Sequence, residues 1–225
     1  MNWTEFRAGK YYDLLMGVPL ILWFGGAAVR LRPGLVQLAR MLLEGHGNLH
    51  AALLFLALFA SAAFNLLLVW LVIVREPPVK KSSGLLPRLC GLVGTFLGVG
   101  ILYLPRAELS LPWLIASDVF QIVGFTGAAL VLARLGKSFS IMPEARALVT
   151  GGPYAHARHP LYAVEMLCIA GNAILFLQPW AGLLAALVAA LQVARSVFEE
   201  RVLGEAYPEY AGYRARVKRF IPGVI

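Results

Sequence analysis

The stretch that decides the fold is residues 161–198, LYAVEMLCIAGNAILFLQPWAGLLAALVAALQVARSVF. It consists of two apolar runs separated by Gln178, Pro179 and Trp180. Proline interrupts a helix when it falls inside one, and tryptophan is enriched at the interface between a membrane and water. The stretch therefore predicts a helical hairpin that enters and leaves a lipid bilayer.

Apolar runs of similar length occur throughout the chain. A helix needs about 20 apolar residues to span the roughly 30 Å hydrocarbon core of a bilayer. Six segments are predicted to be such spans: 13–29, 49–74, 85–104, 111–133, 161–177 and 179–198. The composition agrees, because 60% of the 225 residues are hydrophobic and 14% are charged, whereas a soluble domain carries about 25% charge.

We expect an all-α polytopic membrane protein with two regions. Residues 1–133 hold four transmembrane helices. Residues 134–225 hold a polar loop, the helical hairpin and a cytoplasmic C-terminal helical segment. The loop 134–160 and the charged segment 199–222 flank the hairpin on the same side of the membrane, so they can meet over its end.

The distribution of basic residues predicts the orientation. With six spans, both termini and the connections 75–88 and 134–160 lie on one side, which holds Arg75, Lys80, Lys81, Arg88, Arg134, Lys137, Arg146, Arg158, Arg201, Arg214, Arg216, Lys218 and Arg219. The other side holds Arg30, Arg32, Arg40 and Arg106. Because positive loops remain in the cytoplasm, both termini are predicted to be cytoplasmic, and the compact loops favour a bacterial inner membrane. The net charge of +8 then reflects contact with anionic membrane lipids rather than with nucleic acid.

The densest group of reactive side chains is residues 151–162, GGPYAHARHPLY. Gly152 and Pro153 predict a turn, and Pro160 suits the first turn of a helix. Arg158 and His159 would then lie at a helix N-terminus, where free backbone N–H groups favour a bound carboxylate or phosphate. The alternative is that Arg158 is one more juxtamembrane charge and His159 a capping residue.

Acidic residues near and inside the spans form a second group. Glu199 and Glu200 follow the last span and are usually a solvated helix end, but a carboxylate there is unfavourable to the helix dipole, which raises the chance of a ligand role. Glu165 lies within a predicted span, where an ionisable group is costly and is a functional candidate by default. Asp118 is expected either to snorkel or to form a structural pair.

Metal and thiol chemistry has little support in the sequence. His156 and His159 could share a helical face, but no third ligand accompanies them, so no metal site is expected. Cys90 and Cys168 lie inside predicted spans, where a thiol behaves as a small apolar group. The glycine pattern matches neither a Rossmann fingerprint nor a P-loop.

Residues 135–222 resemble the superfamily of isoprenylcysteine carboxyl methyltransferases and phospholipid methyltransferases, which are integral membrane enzymes. The resemblance rests on LGKSFSIMPEARALVTGGPYAHARHPLY, then the hairpin, then EERVLGEAYPEYAGYRARVKRFIP. It implies transfer of a methyl group from S-adenosylmethionine to a lipophilic small molecule or lipid-modified acceptor, such as an isoprenylcysteine carboxylate, at the cytoplasmic face. It also implies that residues 134–225 form the cofactor-binding catalytic region and that residues 1–133 shape the choice of substrate. The cofactor-binding residues that it implies are Gly152, Pro153, Tyr154, Arg158, His159, Pro160, Tyr162, Glu199 and Glu200.

The nature of the acceptor decides which side chains are expected to be catalytic. An acceptor carboxylate is already a nucleophile and needs a cation to hold it, for which Arg158 and Arg195 are the candidates. An amine or thiol needs a base, for which Glu165 or His159 is available. The alternatives are a phospholipid or amine N-methyltransferase, an NADPH-dependent membrane reductase of the sterol-reductase type, and a non-catalytic membrane protein.

Overall fold

The computed structural model describes residues 9–223 and is built almost entirely from helices. The helices are α1 (Lys10–Leu43), α2 (Leu49–Val74), α3 (Leu85–Phe96), α4 (Leu111–Leu135), α5 (Pro160–Phe176), α6 (Pro179–Ala206) and α7 (Tyr210–Arg216). Short 3-10 helices lie at Leu97–Tyr103, Gly136–Ser138 and Gly152–Ala155. Two short strands, β1 (Lys80–Lys81) and β2 (Glu144–Ala145), pair antiparallel, with Lys81 opposite Glu144.

The predicted class, an all-α polytopic membrane protein, is confirmed. Within residues 9–223, five helical segments are long and apolar enough to cross a membrane, and they begin at Lys10, Leu49, Leu85, Leu111 and Pro179. The helix α5 is also apolar but has 17 residues, which corresponds to about 25 Å. Large apolar side chains point outward, as at Leu22 and Trp70, which are 70% and 60% exposed. Such an apolar surface is typical of helices that contact lipid.

The predicted span boundaries are wrong at several helix ends. The first span was expected to end at residue 29, but α1 continues to Leu43, because its leucine, arginine and glutamine residues are good helix formers. The third was expected to be one helix over 85–104, but the α-helix ends at Phe96 and a 3-10 helix follows. The last was expected to end at residue 198, and α6 instead continues to Ala206.

The hairpin between α5 and α6 is confirmed, with only residues 177 and 178 between the two helices. Leu177 adopts a left-handed conformation with φ of 40°, which reverses the chain direction, and Pro179 starts α6. Beside the hairpin, α4 packs closely on α5 at Gly124. A Cβ atom at this position would lie 2.5 Å from the Sγ atom of Cys168, so this contact needs glycine.

An ion network joins distant segments at one end of the helix bundle. Arg75, which follows α2, donates from Nε to Asp13 of α1 over 2.7 Å. Arg146, which follows β2, is 2.9 Å from Asp13 and 2.9 Å from Glu144. The start of α1, the end of α2 and the loop before α5 therefore share one face, which we call the loop face.

Candidate functional site

The C-terminal tail, residues 207–223, lies against the segment that leads into α5. The backbone N–H of Arg158 donates to the carbonyl of Lys218 over 2.8 Å, and that of His159 donates to Arg219 over 2.8 Å. The Tyr213 hydroxyl donates to the Tyr154 carbonyl over 2.6 Å. The two segments that the sequence places on one side of the hairpin thus meet at the loop face.

Glu200 is the centre of a dense charge cluster. Its Oε1 atom accepts from Arg158 Nε over 2.9 Å and from Arg219 Nε over 2.9 Å. His159 Nε2 lies 3.2 Å from the same oxygen, and Arg214 Nε is 3.7 Å from Oε2. The carboxylate is buried, with 5% of the residue exposed, so it fastens the tail to α5 and α6.

This cluster changes the expected role of the turn before α5. The sequence predicted that Arg158 and His159 would favour a bound anion, and the anion beside them in this structure is the Glu200 side chain. The backbone N–H groups of these two residues also donate to the tail rather than remaining free. Two candidate cofactor residues, Arg158 and Glu200, are therefore paired with each other.

The neighbouring Glu199 has different surroundings. Tyr162 donates its hydroxyl to Glu199 Oε1, and Arg195 Nε lies 3.3 Å from the same oxygen. The Arg195 guanidinium also lies over the Tyr162 ring, 5.0 Å from its centroid. On the other side, the His159 ring stacks on Tyr162 with centroids 5.4 Å apart. Glu199 therefore belongs to an aromatic and charged layer inside the loop face.

A cavity of about 100 Å³ opens between this layer and the tail, and we call it the first cavity. Six of the candidate residues line it: Tyr154, Arg158, His159, Tyr162, Arg195 and Glu199. It is smaller than the roughly 300–1000 Å³ of typical small-molecule sites. The tail covers it through Tyr210 and Tyr213, so a ligand of nucleotide size needs the tail to move outward.

The other candidate residues lie around the first cavity but do not line it. Gly152 has φ of 63°, and a Cβ atom there would lie 2.7 Å from Arg134 Nε. Glycine is therefore needed at this position of the turn. Pro160 begins α5, and Pro153 lies in the preceding 3-10 helix. Glu165 accepts from Gln192 Nε2 over 2.8 Å, deeper in the helix bundle.

Sequence reasoning missed several residues of the first cavity. Ser140, Met142, Glu144 and Arg146 line it from the loop before α5. The loop was identified as the longest polar connection, but nothing in its spacing distinguished Arg146 from the other basic residues. Its buried position depends on Asp13, which is distant in sequence.

Two buried polar atoms at the first cavity have no hydrogen-bond partner in the described part of the chain, Arg195 Nε and the Tyr210 hydroxyl. Both side chains line the cavity. Burial raises the pKa of Tyr210 and raises that of Tyr213 to about 12, so both hydroxyls keep their protons at neutral pH. Unpaired buried donors are costly, and a polar ligand would satisfy them.

The remaining candidates lie elsewhere. Asp118 is buried near the start of α4, 3.4 Å from His50 near the start of α2, at the end of the bundle opposite the loop face. Of the two expectations for Asp118, snorkelling and a structural pair, the second agrees with this contact. Cys90 and Cys168 are buried free thiols. Among residues 9–223, no three side chains of His, Cys, Asp or Glu converge on a possible metal position.

The region around this candidate site is similar to known proteins. Residues 114–210 match the family model described as phospholipid methyltransferase. A segment of 76 residues is 40% identical to the cobalt-zinc-cadmium resistance protein CzcN of Cupriavidus metallidurans, and it covers 33% of this chain and 35% of that protein. The chain thus matches about a third of the length of this relative.

The resemblance inferred from the sequence is confirmed. The family model that matches residues 114–210 is part of the isoprenylcysteine carboxyl methyltransferase-like superfamily of membrane methyltransferases. The matched region includes α4, α5 and α6 and begins α7. It therefore includes both the turn before α5 and the Glu199–Glu200 pair.

Proposed function

We propose that this protein transfers a methyl group from S-adenosylmethionine to a lipophilic or lipid-modified acceptor at the membrane surface. The observation that carries the proposal is the first cavity, which the family-matched segments largely line and where the Tyr210 hydroxyl is an unpaired buried donor near the Arg195–Glu199 ion pair. The carboxylate, ammonium and sulfonium groups of the cofactor each need a partner of opposite charge or an aromatic ring. The side chains that line the first cavity include a guanidinium, a carboxylate and tyrosine rings.

The residues of the first cavity suit the chemical groups of the cofactor. The Arg195 guanidinium suits the cofactor carboxylate, and the Tyr210 hydroxyl suits a second oxygen. Glu199 suits the ammonium group or the ribose hydroxyls. The rings of Tyr154, Tyr162 and Tyr213 suit the positive sulfonium, because aromatic faces attract cations.

We assign a positioning role to Arg158 and His159. Both contact Glu200, and Arg158 also donates to the carbonyl of Val217 over 2.5 Å. They thereby hold the tail that covers the cofactor. Gly152, Pro153 and Pro160 set the turn that brings them there.

When bound, S-adenosylmethionine supplies a methyl group that an acceptor nucleophile takes by direct displacement. For this reaction the chain must align the acceptor and exclude water. A carboxylate acceptor, as in an isoprenylcysteine, needs no base. For an amine or phospholipid acceptor, Glu165 is the candidate base, and it is held by Gln192.

The two regions of the chain would divide these tasks. Residues 134–225 bind the cofactor, and residues 1–133 shape the site of the acceptor. The loop face would be the cytoplasmic face, because it carries most of the lysine and arginine residues. A bacterial inner membrane is the proposed location.

Calorimetric titration of detergent-purified protein with S-adenosylhomocysteine and, separately, with NADPH tests this proposal. We expect S-adenosylhomocysteine alone to bind. Binding of NADPH alone would instead identify a reductase of the sterol-reductase type. Binding of neither would indicate a non-catalytic membrane protein.

A further inference from the structure

Arg195 is a buried cation of α6 that lines the first cavity. Its Nη1 atom donates to the hydroxyl of Thr95 over 3.2 Å, and its Nη2 atom lies 3.5 Å from the carbonyl oxygen of Ser140. Its Nε atom lies 3.3 Å from Glu199 Oε1. Three segments of the chain, namely α3, the loop before α5 and α6 itself, therefore each provide an oxygen atom to this guanidinium group.

The contact between Arg195 and Glu199 is an ion pair without a hydrogen bond. Among the described residues, Arg195 Nε has no hydrogen-bond partner, although Glu199 Oε1 is 3.3 Å away. The same carboxylate oxygen accepts from the Tyr162 hydroxyl. A guanidinium and a carboxylate that are free to turn often form two parallel hydrogen bonds. The other contacts of Arg195 and Glu199 therefore keep the pair more open than that geometry.

The contact with Thr95 fixes one of the guanidinium nitrogens. Thr95 lies in the last turn of α3, and its hydroxyl donates to the carbonyl of Gly91 over 2.7 Å. Because the hydroxyl hydrogen is used there, the oxygen presents its lone pairs to Arg195. Thr95 thus accepts from Nη1, whereas Glu199 faces Nε.

The position of Thr95 depends on close packing of α3. A Cβ atom at Gly91 would lie 2.9 Å from the carbonyl oxygen of Ile141 in the loop before α5. A Cβ atom at Gly94 would lie 3.5 Å from the Cβ atom of Leu191 in α6. Small residues let helices approach closely in lipid. The last two turns of α3 therefore contact both the loop before α5 and α6, and they carry Thr95 to Arg195.

We propose that Thr95 is a positioning residue for the cofactor: by holding Arg195, it keeps the Arg195–Glu199 pair open for the amino-acid end of S-adenosylmethionine. That end carries a carboxylate and an ammonium group, which a nearby but incompletely paired guanidinium and carboxylate suit. Within residues 9–223, the wall of the first cavity does not include Thr95, so Thr95 acts through Arg195.

This inference rests on the proposed function and adds to it a residue from another part of the chain. Thr95 lies outside residues 114–210, which match the family model. The helix α3 thus contributes to the arrangement of the cofactor site, in addition to the role that residues 1–133 have for the acceptor.

Loss of the Thr95 hydroxyl should close the ion pair. Valine has nearly the shape of threonine but offers no oxygen atom, so in Thr95→Val the buried Nη1 atom loses its acceptor. An unpaired buried donor is costly, and the guanidinium should turn toward Glu199. Both charged groups are then less available to a ligand. Thr95→Ser keeps the hydroxyl and should keep the position of Arg195.

The test is calorimetric titration of detergent-purified protein with S-adenosylhomocysteine and with methylthioadenosine, which has the nucleoside and the sulfur but lacks the amino-acid end. Thr95→Val should bind S-adenosylhomocysteine about tenfold more weakly than the parent, and methylthioadenosine as the parent does. Thr95→Ser should bind both ligands like the parent. The matched control is Thr126→Val, which removes the hydroxyl of an exposed threonine of α4 and should change neither affinity.

The assignment of Thr95 is overturned if Thr95→Val binds S-adenosylhomocysteine like the parent. It is also overturned if this variant loses affinity for both ligands by the same factor, or if Thr95→Ser loses as much affinity as Thr95→Val, because either result indicates a general effect on the structure. A parent protein that does not bind S-adenosylhomocysteine would instead overturn the proposed function, and the assignment of Thr95 with it.

Discussion

Glu199 and Glu200 are adjacent in sequence and have separate surroundings. Successive residues of a helix point about 100° apart, so α6 directs Glu200 to the arginines of the tail and Glu199 to Tyr162 and Arg195. The sequence indicated the acidic pair as a unit. The sequence could not show that Glu199 and Glu200 have different roles, because this difference depends on where the tail lies.

The first prediction at this scale concerns Glu199. Glu199→Gln should weaken S-adenosylhomocysteine binding by about tenfold, or about 1.4 kcal/mol, because the amide cannot balance a cationic group of the cofactor. The thermal unfolding midpoint should fall less than in a Glu200 variant, since the cation nearest to Glu199 is Arg195, at 3.3 Å, whereas three arginines surround Glu200. Calorimetry and thermal unfolding in detergent measure the two effects. Unchanged affinity would remove Glu199 from the cofactor site.

The second prediction concerns Glu200. Glu200→Gln should release the tail, because breaking a buried ion pair costs about 3–5 kcal/mol. The sites after Arg214, Arg216 and Lys218 should then be cleaved by trypsin faster than in the parent. The matched control is Glu205→Gln, whose exposed pair with Lys80 contributes at most about 1 kcal/mol. Equal cleavage of the two variants would contradict the role of Glu200.

At the scale of the elements, the sequence predicted the helices better than their ends. Hydropathy identifies the part of a helix that lies in lipid, and all six predicted segments are helical in part or whole. It does not mark the end of the helix, because Glu, Arg and Leu are good helix formers outside lipid as well. For this reason α6 extends to Ala206 and carries Glu199 and Glu200 inside the helix rather than at its end.

Close packing of α4 on α5 gives a prediction at this scale. Gly124→Ala should destabilise the protein by about 1–3 kcal/mol, because its Cβ atom would lie 2.8 Å from the backbone nitrogen of Cys168. Gly182→Ala is the control, since no atom lies within 4 Å of its added Cβ, and alanine favours a helix by about 0.5–1 kcal/mol. Thermal unfolding in detergent should show opposite shifts. A Gly124 variant as stable as the parent would contradict the close contact.

At the scale of the whole molecule, the first cavity depends on contacts between segments that are far apart in sequence. Asp13 meets Arg75 and Arg146, and Arg158 meets Glu200 and the tail. A single sequence shows which residues carry charge but not which of them pair. The family resemblance identified the turn before α5 and the acidic pair, whereas the place of Arg146 at the first cavity could be found only from the structure.

We propose that the cofactor occupies the first cavity, where Ser140, Met142, Glu144 and Arg146 contribute to the wall and Tyr210 and Tyr213 of the tail cover it. The cofactor would then lie at the loop face, close to the boundary between membrane and water. A water-soluble cofactor and a lipid-bound acceptor would need to meet at this boundary.

The most direct test is transfer of a tritiated methyl group from S-adenosylmethionine by protein reconstituted in bacterial lipid extract. N-acetyl-S-farnesylcysteine is added as a carboxylate acceptor in a parallel reaction. We predict that label enters the organic-solvent extract in at least one reaction, and that Glu199→Gln lowers the rate. If a preparation that binds S-adenosylhomocysteine transfers no label above a protein-free control in either reaction, the central claim is contradicted.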